Sequence, residues 1–390
     1  MKHDRGMPSL KLRLPETPPR IWPSRDPGRL HHESVTARLG AAVGIAFGIC
    51  FVTGVLSHYN SHPWAWLPPP ATPAGGYRFT QGLHVITGFM TIPLILAKLW
   101  SVQHKLFEWP PVKSVVHVLE RLSIFVLVAA TLVELVSGVL NVIQYYPFKW
   151  PFVSVHYALS WIVIGALLLH IAVKLPVIRR GLSTSLKGPL VDEHGLTRRG
   201  AVTGIGIGVG VVGVTTVGQV VGPLAKVALL APRRPDQAPE QHLPVQRTEG
   251  QAGVAKKVVA DDYALTVKGT STKTFSTAQL EAMPRQTRNL SIACVEGWSQ
   301  GATWSGPSLL NLVTMAGGNS HSVVTITSLE KTGFNHCTLT GGQLSAALLA
   351  THLHGERLTL DHGYPIRLVA PDQKGELQTK WVGKIEVKNA

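Results

Sequence analysis

The chain has 390 residues, with 37 Lys and Arg against 22 Asp and Glu for a formal charge of +15. Only 15% of its residues are charged, against roughly 25% in an ordinary soluble domain, and its mean hydropathy is +0.17. These values argue against a wholly soluble enzyme. The three cysteines (Cys50, Cys294, Cys337) exclude a disulfide scaffold, a four-Cys zinc site and a Cys-ligated iron–sulfur cluster. No Cys-x-x-Cys-His run is present, which excludes covalently attached haem.

Residues 1–35 are polar, Pro-rich and carry seven basic residues, so they do not read as a cleavable secretory signal. Five apolar stretches follow, each near the 20 residues a bilayer crossing needs: Leu39–Ser57, Gly82–Trp100, Leu122–Ile143, Phe152–Leu175 and Ala201–Ala225. Basic residues gather before the first (seven), after the second (Lys98, Lys105, Lys113) and after the fourth (Lys174, Arg179, Arg180, Lys187, Arg198, Arg199). The other short loops hold Arg78 and Lys149. The positive-inside rule therefore predicts a cytoplasmic N-terminus and a C-terminal part outside the plasma membrane of a bacterium. Much of the +15 is a topology signal, and no nucleic-acid partner is expected.

The fourth span holds His156 and His170, fourteen residues apart. That spacing separates them by about 21 Å on nearly one helix face. Polar residues at membrane depth are expensive, and imidazole is a common axial ligand of haem iron. Two b-type haems stacked across the bilayer would use this spacing. His84 lies at matching outer depth to His156, with His58 as a competitor, and the inner partner of His170 is His31, His32 or His117. The competing reading is that histidines such as His58, His62, His104 and His117 cap helices at the water interface. Glu134, in the middle of the third span, would be protonated or paired there, relaying protons, contacting a quinone or bonding a neighbouring helix. Through Leu30-His31-His32, Gly82-Leu83-His84 and His156…His170, residues 30–176 resemble the four-helix cytochrome b subunits of respiratory formate dehydrogenases and hydrogenases. In that family the fourth span supplies two histidines and the first and second one each.

Between the fourth and fifth spans stands Leu196-Thr197-Arg198-Arg199-Gly200, followed by a stretch with seven glycines from Gly204 to Gly222. Paired arginines before a weakly apolar run look like a signal for the twin-arginine export machinery, which carries domains folded around a cofactor. The alternative is that both arginines are positive-inside anchors.

After a Pro- and Gln-rich lead-in, strand-like runs at Tyr263–Val267, Val323–Thr327 and Ile366–Val369 alternate with helix-like Leu309–Met315 and Gln343–His352. Ser291-Ile292-Ala293-Cys294-Val295-Glu296-Gly297-Trp298, Trp304-Ser305-Gly306-Pro307, Asp361-His362-Gly363-Tyr364-Pro365-Ile366-Arg367 and Lys380-Trp381-Val382-Gly383 follow in order. In this order and spacing, residues 242–390 resemble the molybdopterin-binding domain of the sulfite oxidase and methionine-sulfoxide reductase family. The resemblance implies that Cys294 is the thiolate bound to molybdenum and that His362, Arg367 and Lys380 hold the pterin phosphate, with Arg247 a further contact. A Cys294–Cys337 disulfide would abolish that ligand. Sulfite oxidases place an Arg five residues after the ligand Cys, where this chain has Ser299, and their substrate side reads here Ser328-Leu329-Glu330-Lys331-Thr332-Gly333-Phe334. Sulfite is therefore not the expected substrate.

The expected architecture is a membrane all-α five-helix bundle followed by a soluble α+β molybdopterin-binding domain of the sulfite oxidase type. Its parts are a cytoplasmic segment (1–35), a cytochrome b-like four-helix domain (36–176), a cytoplasmic loop (177–200), a fifth span (201–225), a linker (226–256) and the molybdopterin domain (257–390). The expected activity is oxygen-atom transfer on a small-molecule substrate outside the cell, with haem b passing electrons to or from the quinone pool or another membrane redox partner. The alternative is a di-haem electron carrier with a non-catalytic extracytoplasmic binding domain.

Overall fold

Five long helices open the computed structural model, which describes residues 31–61, 67, 75–106, 108, 115–143, 145–186, 197–230, 238, 240–255, 263–331, 335–371 and 373–388. The helices are α1 (Glu33–Ser61), α2 (Gly76–Leu106), α3 (Val115–Val142), α4 (Phe152–Ser183) and α5 (Arg198–Val217). Each is long and apolar enough to cross a bilayer. The first two run past the predicted spans at both ends, α3 extends its span only at the start and α4 only at the end. The predicted fifth span reached Ala225, but the helix ends at Val217 and a 3-10 turn follows over Gly222–Val227. At Gly218 a Cβ would run into the Leu224 carbonyl oxygen, so the chain doubles back there, and Leu230 N donates to Thr215 O. Twenty residues still give about 30 Å of helix. The N-terminal segment before residue 31, the loop over 187–196, residues 231–237 and 256–262, and His62 lie outside the described residues.

The chain divides into two compact units that do not follow chain order: residues 1–52 with 87–213, and residues 53–86 with 214–390. In the first, Val43, Phe47, Leu94, Ala130, Val163, Leu167 and Val209 bury one another, so all five helices contribute to one core. Gly181 permits the closest crossing, since a Cβ there would meet Ala37 Cβ and Glu33 O at 2.7 Å. Arg38 donates to the orphan carbonyls of Gly181, Leu182 and Thr184 at the end of α4. Outward-facing side chains such as Ile45, Leu96, Leu119 and Phe125 are exposed.

In the second unit a capping box starts α6 (Glu249–Ala252), then β1 (Ala264–Lys268), β2 (Thr272–Ser276) and α7 (Thr277–Ala282) follow. The hairpin β3 (Gln286–Ala293) and β4 (Ser299–Gly306) precedes α8 (Leu309–Met315), β5 (Val323–Ser328), β6 (His336–Leu339) and α9 (Gly342–Ala346). The chain closes with β7 (Leu348–Ala350), β8 (His352–Leu353), β9 (Glu356–Arg357), β10 (Arg367–Val369) and β11 (Val382–Lys388). One sheet has the order β2-β1-β11-β5-β6, with β1 and β11 parallel; a second is β3-β4-β8-β9, and β10 pairs with β7. The predicted helix over Gln343–His352 is corrected: it stops at Ala346 because the apolar Leu348–Ala350 pairs antiparallel with Val369–Arg367. The three predicted strands and Leu309–Met315 are present within a residue or two.

Candidate active site

Cys294 follows the last residue of β3, in the turn of the β3–β4 hairpin, where Ala293 pairs with Ser299. Its N–H donates to Trp298 O and its carbonyl accepts from Gly297 N, at 2.9 and 3.0 Å. Gly297 makes the turn possible with φ +92, a conformation L side chains rarely adopt. Period-2 alternation then sends Ile292, Cys294, Trp298, Ala302 and Trp304 to one face, where they form a single buried cluster with Leu348, Ala350 and Val369. Ser299 belongs by the same alternation to the opposite face; it is buried, and its N–H donates to Gln219 O at 2.9 Å. All three cysteines are free thiols, so no Cys294–Cys337 bond forms; Cys337 lies in the other core cluster, where burial pushes its thiol up to about 12.

Three of the four residues assigned to the pterin phosphate converge. Arg367, at the start of β10, is buried, and its guanidinium lies 5.0 Å from the centroid of the Trp304 ring. It donates to His362 O (3.1 Å) and Gln378 O (3.2 Å), while its Nε is buried with no partner. Gly363 lets the His362 loop close over it, since a Cβ there would meet Arg367 Cβ at 3.0 Å and Lys380 Cβ at 3.2 Å. Lys380 donates to Asp361 O at 2.8 Å and to Arg247 O. His362 Nε2 lies 3.2 Å from Glu240 O.

The electrostatics match that geometry. Burial, then the Arg367 charge, pull the His362 imidazole down to about 4 and the Lys380 amine to about 7; burial alone lowers Arg367 to about 10. Positive groups packed this closely repel, and a buried dianionic phosphate would relieve the repulsion. The unpartnered Arg367 Nε is the kind of donor such an anion would satisfy. The residues present therefore fit the phosphate of a pterin cofactor. Arg247 differs, because its Nε is paired with the buried Glu330 carboxylate at 2.7 Å and its carbonyl is what Lys380 contacts. Residues 332–334, on the expected substrate side, lie outside the described residues.

Lys374 gave no separate sequence signal beyond standing next to Gly375. It is buried, its backbone bridges to Ala293, and its ammonium lies 5.8 Å from the Tyr77 ring centroid of α2. A cavity of about 100 Å³ beside it is lined by Tyr77, Arg78, Asn289, Ser291 and Gln373, among others. Equally unsignalled, the amide of Gln81 donates from Nε2 to Val295 O at 2.7 Å.

Among the expected haem ligands, His84 Nδ1 lies 3.1 Å from Thr53 Oγ1, and Gly54 leaves room for its ring. His156 Nδ1 lies 3.3 Å from Glu134 Oε2 and 3.4 Å from Ser137 Oγ, which gives the Glu134 carboxylate its neighbour. His31 packs against Trp100 and His104, with ring centroids at 4.7 and 5.4 Å, and His32 Nδ1 accepts from Ser34 N. No hydrogen bond or ring contact joins either of them to His170 among the described residues. No cluster of three metal-ligating side chains occurs among those residues either.

Comparison with known proteins bears on the C-terminal part. A family model described as the oxidoreductase molybdopterin binding domain matches residues 251–390. A nitrate reductase [NADPH] of Mycosarcoma maydis is 55% identical over 40 residues, 10% of this chain and 4% of that protein. The uncharacterized oxidoreductase YuiH of Bacillus subtilis (strain 168) is 30% identical over 113 residues, 29% of this chain. The chain spans only 57% of that relative's length. Among solved structures, the sulfane dehydrogenase SoxCD from Paracoccus pantotrophus is 22% identical at a TM-score of 0.30, covering 33% of this chain and 38% of that one. Residues 251–390 thus match the oxidoreductase molybdopterin binding domain.

Proposed function

We propose that the chain is a membrane-bound molybdenum oxidoreductase, with Cys294 as the thiolate ligand of the metal and His362, Arg367 and Lys380 as the phosphate-binding groups of molybdopterin. The observation that carries this reading is the convergence of three basic side chains, buried His362 and Arg367 with half-buried Lys380, with Arg367 over Trp304 in the cluster that contains Cys294. Bound there, the cofactor would supply oxygen-atom transfer to or from a small-molecule substrate. A soft thiolate suits molybdenum, and the metal keeps it deprotonated. Ser299 in place of an anion-binding arginine, facing away from the Cys294 side of the hairpin, argues against sulfite.

Two b-type haems would carry electrons to or from the quinone pool or another membrane redox partner. His84 and His156 form the outer pair and His170, with His31 or His32, the inner one. A ligating histidine holds its other ring nitrogen in a hydrogen bond, and the Nδ1 contacts of His84 and His156 support that role. The exposed apolar side chains of the five helices support insertion in a bilayer. The basic loops support a cytoplasmic N-terminus and an extracytoplasmic catalytic domain in the plasma membrane. Arg198 and Arg199 would recruit the twin-arginine export machinery.

The test is metal and haem analysis of the full chain purified in detergent. Wild type is expected to hold molybdenum and to show a reduced-minus-oxidised Soret difference, and Cys294→Ala to lose the molybdenum and keep the haem. Molybdenum retained by Cys294→Ala would overturn the ligand assignment; none in wild type would leave an electron carrier. Replacing Arg198 and Arg199 by Lys together is expected to hold the C-terminal domain inside the cell.

A further inference from the structure

Two polar side chains from each of two helices stand opposite one another in the second unit. Ser57 and Thr53 are one turn apart on α1, and Gln81 and His84 one turn apart on α2. Thr53 meets His84, and Ser57 Oγ donates to Gln81 Oε1 at 2.6 Å. The carbonyl of Val295, one residue past Cys294, can only accept, so it takes the Nε2 end of the Gln81 amide and leaves Oε1 to the Ser57 hydroxyl. Gln81 is 8% exposed, and a buried amide is retained only where both ends are bonded. One turn further along α2, Val85 fills the space over Gly297, where a Cβ would come within 2.7 Å of it. The Gln81–Val295 hydrogen bond and the Val85 contact over Gly297 thus join the helix that carries His84 to the turn that carries Cys294.

We propose that Gln81 is the bridge by which electrons pass between the Cys294 turn and the His84 helix, an inference that rests on the haem and molybdenum reading above. Each passage moves one electron, makes and breaks no bond, and occurs twice for each oxygen atom transferred. With each electron one centre is oxidised and the other reduced, in the direction the substrate sets. The path is short: Cys294 to the Val295 carbonyl, across the hydrogen bond to Gln81, and one turn of helix to His84.

The test uses the full chain loaded with both cofactors in detergent. The haem is reduced by a pulse of photogenerated flavin semiquinone, and its re-oxidation is followed at the Soret band as the electron reaches molybdenum. Gln81→Met keeps length and volume but replaces a hydrogen bond by a van der Waals gap, and is expected to slow that step about tenfold. The haem spectrum, the haem potential and the molybdenum(V) resonance stay as in wild type. Phe79→Ala, on the exposed side of the same helix, is expected to leave the rate unchanged. A second readout needs no molybdenum. The Cys294 and Gly297 amides are bonded within the hairpin itself, so their hydrogen exchange in molybdenum-free Gln81→Met is expected to match wild type. An unchanged electron-transfer rate, or a slowing matched by faster exchange at those two amides, overturns the bridge and leaves Gln81 as a strut. A wild-type chain without haem or molybdenum signals overturns the proposed function and the bridge together, which is a distinct result.

Discussion

Replacing Lys380 by Met separates a cofactor-binding cation from a structural one, because the two roles predict opposite results. In the molybdenum-free chain the half-buried ammonium stands near Arg367, and desolvation with that charge brings its value from 10.5 to about 7. At 1.36 kcal/mol per unit, a shift of that size corresponds to at most about 5 kcal/mol against holding the charge at acidic pH. Met removes that opposition and also loses the hydrogen bonds to Asp361 O and Arg247 O, roughly 1 kcal/mol each in net terms. The molybdenum-free variant is therefore expected to be no less stable than wild type at pH 7, and more stable by up to about 3 kcal/mol. With the cofactor the sign reverses. Losing one charge-assisted hydrogen bond to phosphate, about 1.5–3 kcal/mol, weakens retention roughly 10- to 150-fold. The paired assays are scanning calorimetry of the molybdenum-free chain and molybdenum content after dialysis of the loaded one. A variant markedly less stable without cofactor, yet retaining molybdenum like wild type, would refute the reasoning and make Lys380 a tether for the Asp361 loop.

The same cluster sets a pH dependence. His362 and Lys380 both bind protons less readily folded than unfolded, so the unfolded chain holds more protons between about 4 and 6.5 and again between about 7 and 10.5. Stability of the molybdenum-free chain is thus expected to rise with pH across both windows, read as the unfolding midpoint between pH 5 and 9; a falling midpoint refutes it. Gly297→Ala forces a Cβ against Val85 at φ +92 and is expected to destabilise the C-terminal unit by roughly 1–3 kcal/mol, with Val85→Ala restoring part of the loss in chemical unfolding. Glu134→Gln weakens the contact to His156 Nδ1 and is expected to raise a haem midpoint potential by on the order of 50 mV in a redox titration, using 59 mV per tenfold for one electron. An unchanged potential removes Glu134 from that site.

What the sequence carried, and what it did not, divides along physical lines. The five helices were legible because twenty apolar residues in a row have few other uses, but their ends were not. The doubling back at Gly218 depends on a close approach to Leu224 that no local pattern announces. Gln343–His352 reads as a helix because its alternation is irregular, and pairing with β10, twenty residues on, decides otherwise. Cys294, His362, Arg367 and Lys380 stood in recognisable motifs, and the structure brings the last three together. Lys374 and Gln81 did not, because a single polar residue becomes informative only when its partner, Tyr77 or Val295, arrives from more than 200 residues away.

The division of the chain into units has a consequence for its assembly. The surfaces that cover Lys374, Gly297 and the Val295 carbonyl come from Tyr77, Val85 and Gln81, made long before the domain they complete. A C-terminal domain arriving folded on the far side of a membrane would find those helix ends already waiting, as a template rather than a tether. The catalytic part of this protein is therefore not a module that can be cut free at residue 230 and kept whole. Its last wall is built by the start of the second helix, and any attempt to swap or express it alone has to supply that wall again.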